Sequence, residues 1–169
     1  PRLNRVFRPS HHAHTILPAP RLRKSGKVVI ETPPGLMYRT AMRIFLALSL
    51  PDPVTSRLAD TVRRLEPEAS EVLWSRKEQF HVTLAFLGET APAILPHLTD
   101  ACGRVCAACP PFSCRARGLG FFGSKRTPRT LWAGVDPVPE LMALREALWQ
   151  TLPKFGFADN ATHFRPHIT

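Results

Sequence analysis

Several things are missing from this sequence, and each absence removes a class of explanation. No apolar run reaches the length of a membrane span. The N-terminal residues form no continuous apolar stretch of the kind a secretory signal needs. There is no GxGxxG and no P-loop, so a glycine loop cradling nucleotide phosphates is not indicated. Acidic residues are scarce, 13 Asp and Glu against 23 Lys and Arg. That imbalance draws attention to nucleic acid, but its placement weakens the inference. Residues 1–41 hold eight basic side chains and a single acid, Glu31, and carry +7 of the net +10. The rest is only mildly basic. It is compatible with an anionic substrate without demanding one.

Residues 1–41 also show no sustained period of 2 or 3.6. They are expected to be a disordered basic leader or an upstream extension. From Met42 the texture changes to "MRIFLALSLP". The folded unit is expected to occupy 42–169, long enough for one domain with a real core. With no export signal, the expected compartment is the cytoplasm.

"MRIFLALSL" sets Ile44, Leu46 and Leu48 on one face and Phe45, Ala47 and Ser49 on the other, which predicts a strand covered on both faces. A helix follows. Asp52 is placed to cap it, Pro53 suits its first turn, and Val54, Leu58, Val62 and Leu65 share a face. A second helix is expected over residues 90–111, with Ile94, Leu98, Cys102, Val105, Cys106 and Cys109 on one side. "FSCRARGLGFF" and "TLWAGV" read as strands. A third helix carries Leu141, Leu144, Leu148 and Leu152 on one face. The order of elements predicts an α+β fold with a largely antiparallel sheet.

The informative stretch is "FHVTLAFLGE", Phe80 to Glu89. In a strand, residues i and i+2 point the same way, about 7 Å apart. His81 and Thr83 then project from one face, while Phe80, Val82, Leu84 and Phe86 are expected to enter the core. The same spacing returns in His167 and Thr169 of "RPHIT", where Pro166 favours extended backbone. Two imidazoles can serve as a general acid and a general base, because a free imidazole titrates near pH 6.5. Hydroxyls beside them can bond oxygens on which charge develops. Such a set needs no metal.

"WSRKEQFHVTLAFLGE" and "FRPHIT" resemble the two HxT signatures of the 2H phosphoesterases. Within them, the chain is most similar to the bacterial RNA 2′,3′-cyclic phosphodiesterase branch, also called LigT-like 2′-5′ RNA ligases. The resemblance covers essentially all of Met42 to Thr169. It implies two lobes around a central cleft, each a small, mostly antiparallel sheet with helices, and each contributing one motif. It implies hydrolysis of RNA 2′,3′-cyclic phosphate ends to 2′-phosphomonoesters without cofactor. His81 would be the proton donor and His167 the acceptor, assisted by Thr83 and Thr169. The implied partner is RNA or an oligonucleotide with a cyclic phosphate end, and no membrane. A monomer is expected. The alternatives are reversible 2′-5′ RNA ligation in the same cleft, or a non-catalytic RNA- or nucleotide-binding module of this fold. The chain stops at Thr169, before the fourth position of the second motif, so the domain is expected to be incomplete at its C-terminus.

Other candidates have plainer readings. Cys102, Cys106 and Cys109 spell CxxxCxxC, an iron–sulfur spacing. They fall on the apolar face of a helix, though, where small thiols pack. Arg129, with Lys125 and Arg126, could attract RNA phosphates. His163 could line the cleft entrance, and Trp74 or Phe121 could stack a base.

Overall fold

The computed structural model describes residues 28–30 (backbone only), 41–68, 72–124, 126, 128–159 and 163–169. Strand β1 is Val28–Ile30 and β2 is Met42–Ser49. Helix α1, Asp52–Leu65, leads to β3, His81–Thr90. Helix α2, Leu95–Ala108, is followed by the hairpin strands β4, Ala116–Gly123, and β5, Pro128–Val135. Helix α3, Pro139–Thr151, and strand β6, His167–Ile168, complete the order.

The strands form one sheet in the order β1-β2-β3-β6-β5-β4. Every pairing is antiparallel. The α+β class is as the sequence indicates. The two small sheets implied by the resemblance are here two halves of one sheet, joined through β3 and β6. Strand β1 lies inside the segment read as a leader, and it pairs along the edge of β2 through Val28 and Leu48, Val29 and Ala47, and Ile30 and Leu46. The remainder of that reading lies outside the described residues, apart from Ala41.

Apolar side chains on the helices close one face of the sheet. Leu98 of α2 and Leu141, Leu144 and Leu148 of α3 are fully buried with Ile44, Leu46, Val82 and Leu84. Helices α2 and α3 pack on each other, and α3 on β3. Leu152 continues the stripe in a short 3₁₀ turn, which Gly156 ends in the left-handed conformation at φ 83°. Ile168 is buried in the same cluster. Burying such a side chain contributes about 1.5–3 kcal/mol, which helps hold two-residue β6 in place. Among the described residues, no helix is long and apolar enough to cross a membrane.

Three local expectations are corrected. Phe86 is 56% exposed rather than in the core. The register explains it: Ala47 pairs with Thr83 but Leu46 with Ala85, and Phe45 pairs with Phe86 but Ile44 with Gly88. Leu84 and Leu87 are extra residues, and each bulge resets the alternation. Ala85 and Leu87 are buried instead, and Phe86 turns to the opposite face. Asp52 does not cap α1. Pro51 holds that position without a side-chain bond, and the Asp52 carboxylate meets the Lys77 ammonium at 2.7 Å, tying the helix start to the turn before β3. Strand β4 begins at Ala116, later than the alternation from Phe112 suggests.

Candidate active site

One backbone pair assembles the site. Val82 of β3 lies opposite Ile168 of β6. In an antiparallel ladder the residues flanking such a pair also face each other, so Thr83 stands opposite His167 and His81 opposite Thr169. Val82 and Ile168 point into the core. All four residues of the two motifs therefore project from the other face. His81 and His167 are diagonal neighbours, on the order of 7–8 Å apart across the two strands. The sheet brings together the four motif residues singled out from the sequence.

Each histidine is fixed in the same way. His81 Nδ1 lies 2.6 Å from the Gln79 carbonyl, and His167 Nδ1 lies 2.7 Å from the Arg165 carbonyl. A carbonyl only accepts, so Nδ1 carries the proton and donates in both rings. That leaves Nε2 as the nitrogen that exchanges protons. In His81, Nε2 is 3.1 Å from the Thr83 hydroxyl. The sequence explains the geometry: a residue two positions before each histidine ends a turn or loop and aims its carbonyl along the entering strand.

Aromatic rings hold the imidazoles from the flanking strands. Phe45 of β2 stacks on His81, with centroids 4.8 Å apart. Phe122 of β4 meets His167 edge-on at 4.9 Å, and Trp132 of β5 lies at 5.9 Å. Trp132 needs a glycine opposite it. Gly120 pairs with Trp132, and a Cβ on Gly120 would stand 2.3 Å from the indole. These aromatic supports were not singled out from the sequence. For Phe45 the signal existed, since alternation sets it opposite the core-facing Ile44 and Leu46. For Phe122 and Trp132 the partners depend on pairing between distant strands.

Arg145 supports the approach to β6. It is 9% exposed, and its guanidinium meets the Asp159 carboxylate at 2.6 Å. The same guanidinium lies over Phe164, 4.6 Å from the ring centroid. Helix α3 thus holds the segment that delivers His167.

The remaining candidates stand as follows. Arg129 is exposed at the start of β5, the extra residue of a bulge between the Phe122–Thr130 and Gly123–Pro128 pairs. Arg126 is exposed, and Lys125 lies outside the described residues. Phe121 is 41% exposed and also alternates away from Phe122. Trp74 is half-buried ahead of the turn that leads into β3. Cys102 and Cys106 are buried in the core, and Cys109 is half-buried at the end of α2. Burial pushes the Cys102 thiol up to about 12. Cys114 is pushed to about 11 by burial, with help from the Asp136 carboxylate. Protonated thiols of this kind are poor metal ligands and poor nucleophiles. His163 lines an open pocket of about 440 Å³ with Arg117, Trp132 and Arg165.

The arrangement is suited to moving two protons on opposite sides of one small anionic group. The family model described as LigT like Phosphoesterase matches residues 48–132. A curated relative from Geobacillus stearothermophilus, named RNA 2′,3′-cyclic phosphodiesterase, is 36% identical over 121 residues, covering 69% of this chain and 38% of the relative. One of the same name from Thermotoga maritima is 32% identical over 128 residues, covering 76% of this chain and 68% of the relative. Among solved structures, Escherichia coli LigT complexed with 3′-AMP superposes with a TM-score of 0.64 at 27% identity, over 76% of this chain and 71% of that one. TT0787 of Thermus thermophilus superposes with a TM-score of 0.68 at 29% identity, over 76% of this chain and 72% of that one. The chain thus spans little more than a third of the first relative and roughly 70% of the others.

Proposed function

Because the chain belongs to the LigT-like phosphoesterase family, we propose that its domain, residues 42–169, hydrolyses 2′,3′-cyclic phosphate ends of RNA to 2′-phosphomonoesters. The observation that carries this reading is the matched pair of imidazoles. Both are locked through Nδ1 to a carbonyl, and both are mounted on one face across β3 and β6.

The chemistry follows from that arrangement. His81 starts as the imidazolium. Its Nε2–H, near the Thr83 hydroxyl, is handed to the ribose 3′ oxygen as the bond from phosphorus to that oxygen breaks. His167 starts neutral, and its Nε2 takes a proton from the water whose oxygen forms the new bond to phosphorus. The two groups therefore work from opposite sides of the phosphate. Hydroxyls of Thr83 and Thr169 donate to the non-bridging oxygens, where charge develops. One turnover consumes one water and exchanges the protonation states of the two histidines, which solvent then restores. Requiring one charged and one neutral imidazole gives a bell-shaped pH dependence. The site is acid–base throughout and calls on no cofactor.

A reversible 2′-5′ RNA ligase would use the same groups, with a ribose 5′ hydroxyl taking the place of water. A non-catalytic binding module would keep the fold without turnover. The test is incubation of the protein with a cyclic-phosphate oligonucleotide, alone and with a 5′-hydroxyl acceptor. Release of a 2′-phosphomonoester supports hydrolysis. Joined 2′-5′ product points to ligation. Binding without either product contradicts an enzymatic role. Analysis in solution should also find a monomer confined to the aqueous phase, and fractionation of cells should find it in the cytoplasm.

A further inference from the structure

The pocket beside His167 has a composition that the proton transfers do not use. Trp132 lines it, packed against Gly120, where any side chain would collide with the indole. Around it stand Arg117, His163 and Arg165, with the Asp136 carboxylate as the one acid in the lining. The Arg165 guanidinium lies over the Trp132 ring, 6.0 Å from its centroid. Arg117 stays largely exposed. Among the described residues its carboxylate neighbour is Asp136, 3.8 Å away, so a second anion can still reach it. The backbone approach is close as well: a Cβ on Gly134 would stand 2.6 Å from the Arg117 carbonyl, so glycine lets β4 bring Arg117 to the rim.

Position matters as much as composition. Gly134 pairs with His167. Trp132 and Gly134 alternate onto the histidines' face. Arg165 lies two residues before His167, about 7 Å along the extended chain. A volume of about 440 Å³ exceeds what a lone phosphate needs and is of nucleotide size. Guanidinium groups bind phosphate diesters in a fork.

We propose that Arg117, His163 and Arg165, set around Trp132, form a subsite for the phosphodiester and nucleotide just upstream of the cyclic phosphate. The preferred substrate is then the 3′ end of an oligonucleotide and not a cyclic mononucleotide, which leaves this pocket unfilled. This inference rests on the hydrolytic reading above and specifies its substrate class.

The deciding measurement is the ratio of kcat/KM for a cyclic-phosphate trinucleotide to that for the matching cyclic mononucleotide. The unaltered protein should favour the trinucleotide by about tenfold or more, the scale of one charge-assisted contact. In the Arg117→Gln/Arg165→Gln double variant the ratio should fall towards one. Its salt dependence should flatten, since each single-strand phosphate contact contributes a slope of about −0.7. Arg104→Gln, on helix α2, should leave the ratio unchanged. A ratio near one in the unaltered protein overturns the subsite, and so does a double variant that keeps the preference. If neither substrate is hydrolysed, the catalytic reading fails. Fluorescence anisotropy with a labelled 3′-phosphorylated trinucleotide then decides the subsite separately: weaker binding in the double variant, unchanged by Arg104→Gln, supports it, and equal binding overturns it.

Discussion

His81 and His167 make the same bond: each donates Nδ1–H to the carbonyl two residues earlier, at 2.6 and 2.7 Å. Residues far apart in the chain thus arrive as a matched pair. The repeat lies in the hydrogen bond and in the aromatic ring beside each imidazole, Phe45 for one and Phe122 for the other. Identical fixation does not distinguish the two rings; the Thr83 hydroxyl, 3.1 Å from Nε2, is a neighbour of His81.

Gly120→Ala should disturb the second half of the site alone. The new Cβ would sit 2.3 Å from the Trp132 ring, which must move. Overpacking of this kind costs about 1–3 kcal/mol. The displaced indole no longer supports His167, so turnover should fall as well. Chemical denaturation and the rate of cyclic-phosphate hydrolysis report the two effects.

Arg145→Met should loosen the segment leading into β6. The arginine side chain is 11% exposed and that of Asp159 is 28% exposed. The expected loss is therefore about 1–3 kcal/mol, below the roughly 3–5 kcal/mol for breaking a fully buried pair. Asp159→Asn should lose a similar amount, and the double variant less than the sum. A double-mutant cycle by urea denaturation measures the coupling. Strict additivity would show that the pair does not hold the segment.

The buried thiols predict an alkaline decline in stability. The Cys102 and Cys114 thiols ionise near 12 and 11 in the folded protein, against an ordinary 9.0. Above about pH 9 the unfolded chain loses thiol protons that the folded chain retains, so folding becomes less favourable as pH rises. The contribution is complete below that pH and is lost through the window up to about 12. Denaturation midpoints should therefore fall from pH 8 to 10.5, and less steeply for Cys102→Ala. In the native protein at pH 8, Cys109 should react with a thiol reagent well before Cys102.

Much of this was legible in the sequence, for identifiable reasons. His81, Thr83, His167 and Thr169 could be grouped because period 2 fixes their faces without knowledge of partners. The stripe Leu141, Leu144, Leu148 and Leu152 was equally plain, and all four are buried. Phe86 was misplaced because two bulges at Leu84 and Leu87 depend on how β2 pairs with β3. Asp52 looked like a cap, but Lys77 offers its carboxylate a charged partner instead. The seating of β6 between β3 and β5 is a long-range pairing with no local signal. Neither Arg145 beneath the segment leading to His167 nor the pocket around Trp132 could be read before that pairing was known.

In the proposed reaction two histidines perform complementary proton transfers on a cyclic phosphate. The most direct measurement is hydrolysis of a 2′,3′-cyclic phosphate oligonucleotide by the unaltered protein, His81→Ala and His167→Ala, with circular dichroism to verify folding. The expected result is a 2′-phosphomonoester product, a bell-shaped pH profile, and a loss of about 10²–10⁴-fold in each folded variant. Near-normal hydrolysis by a folded His81→Ala or His167→Ala protein would contradict it.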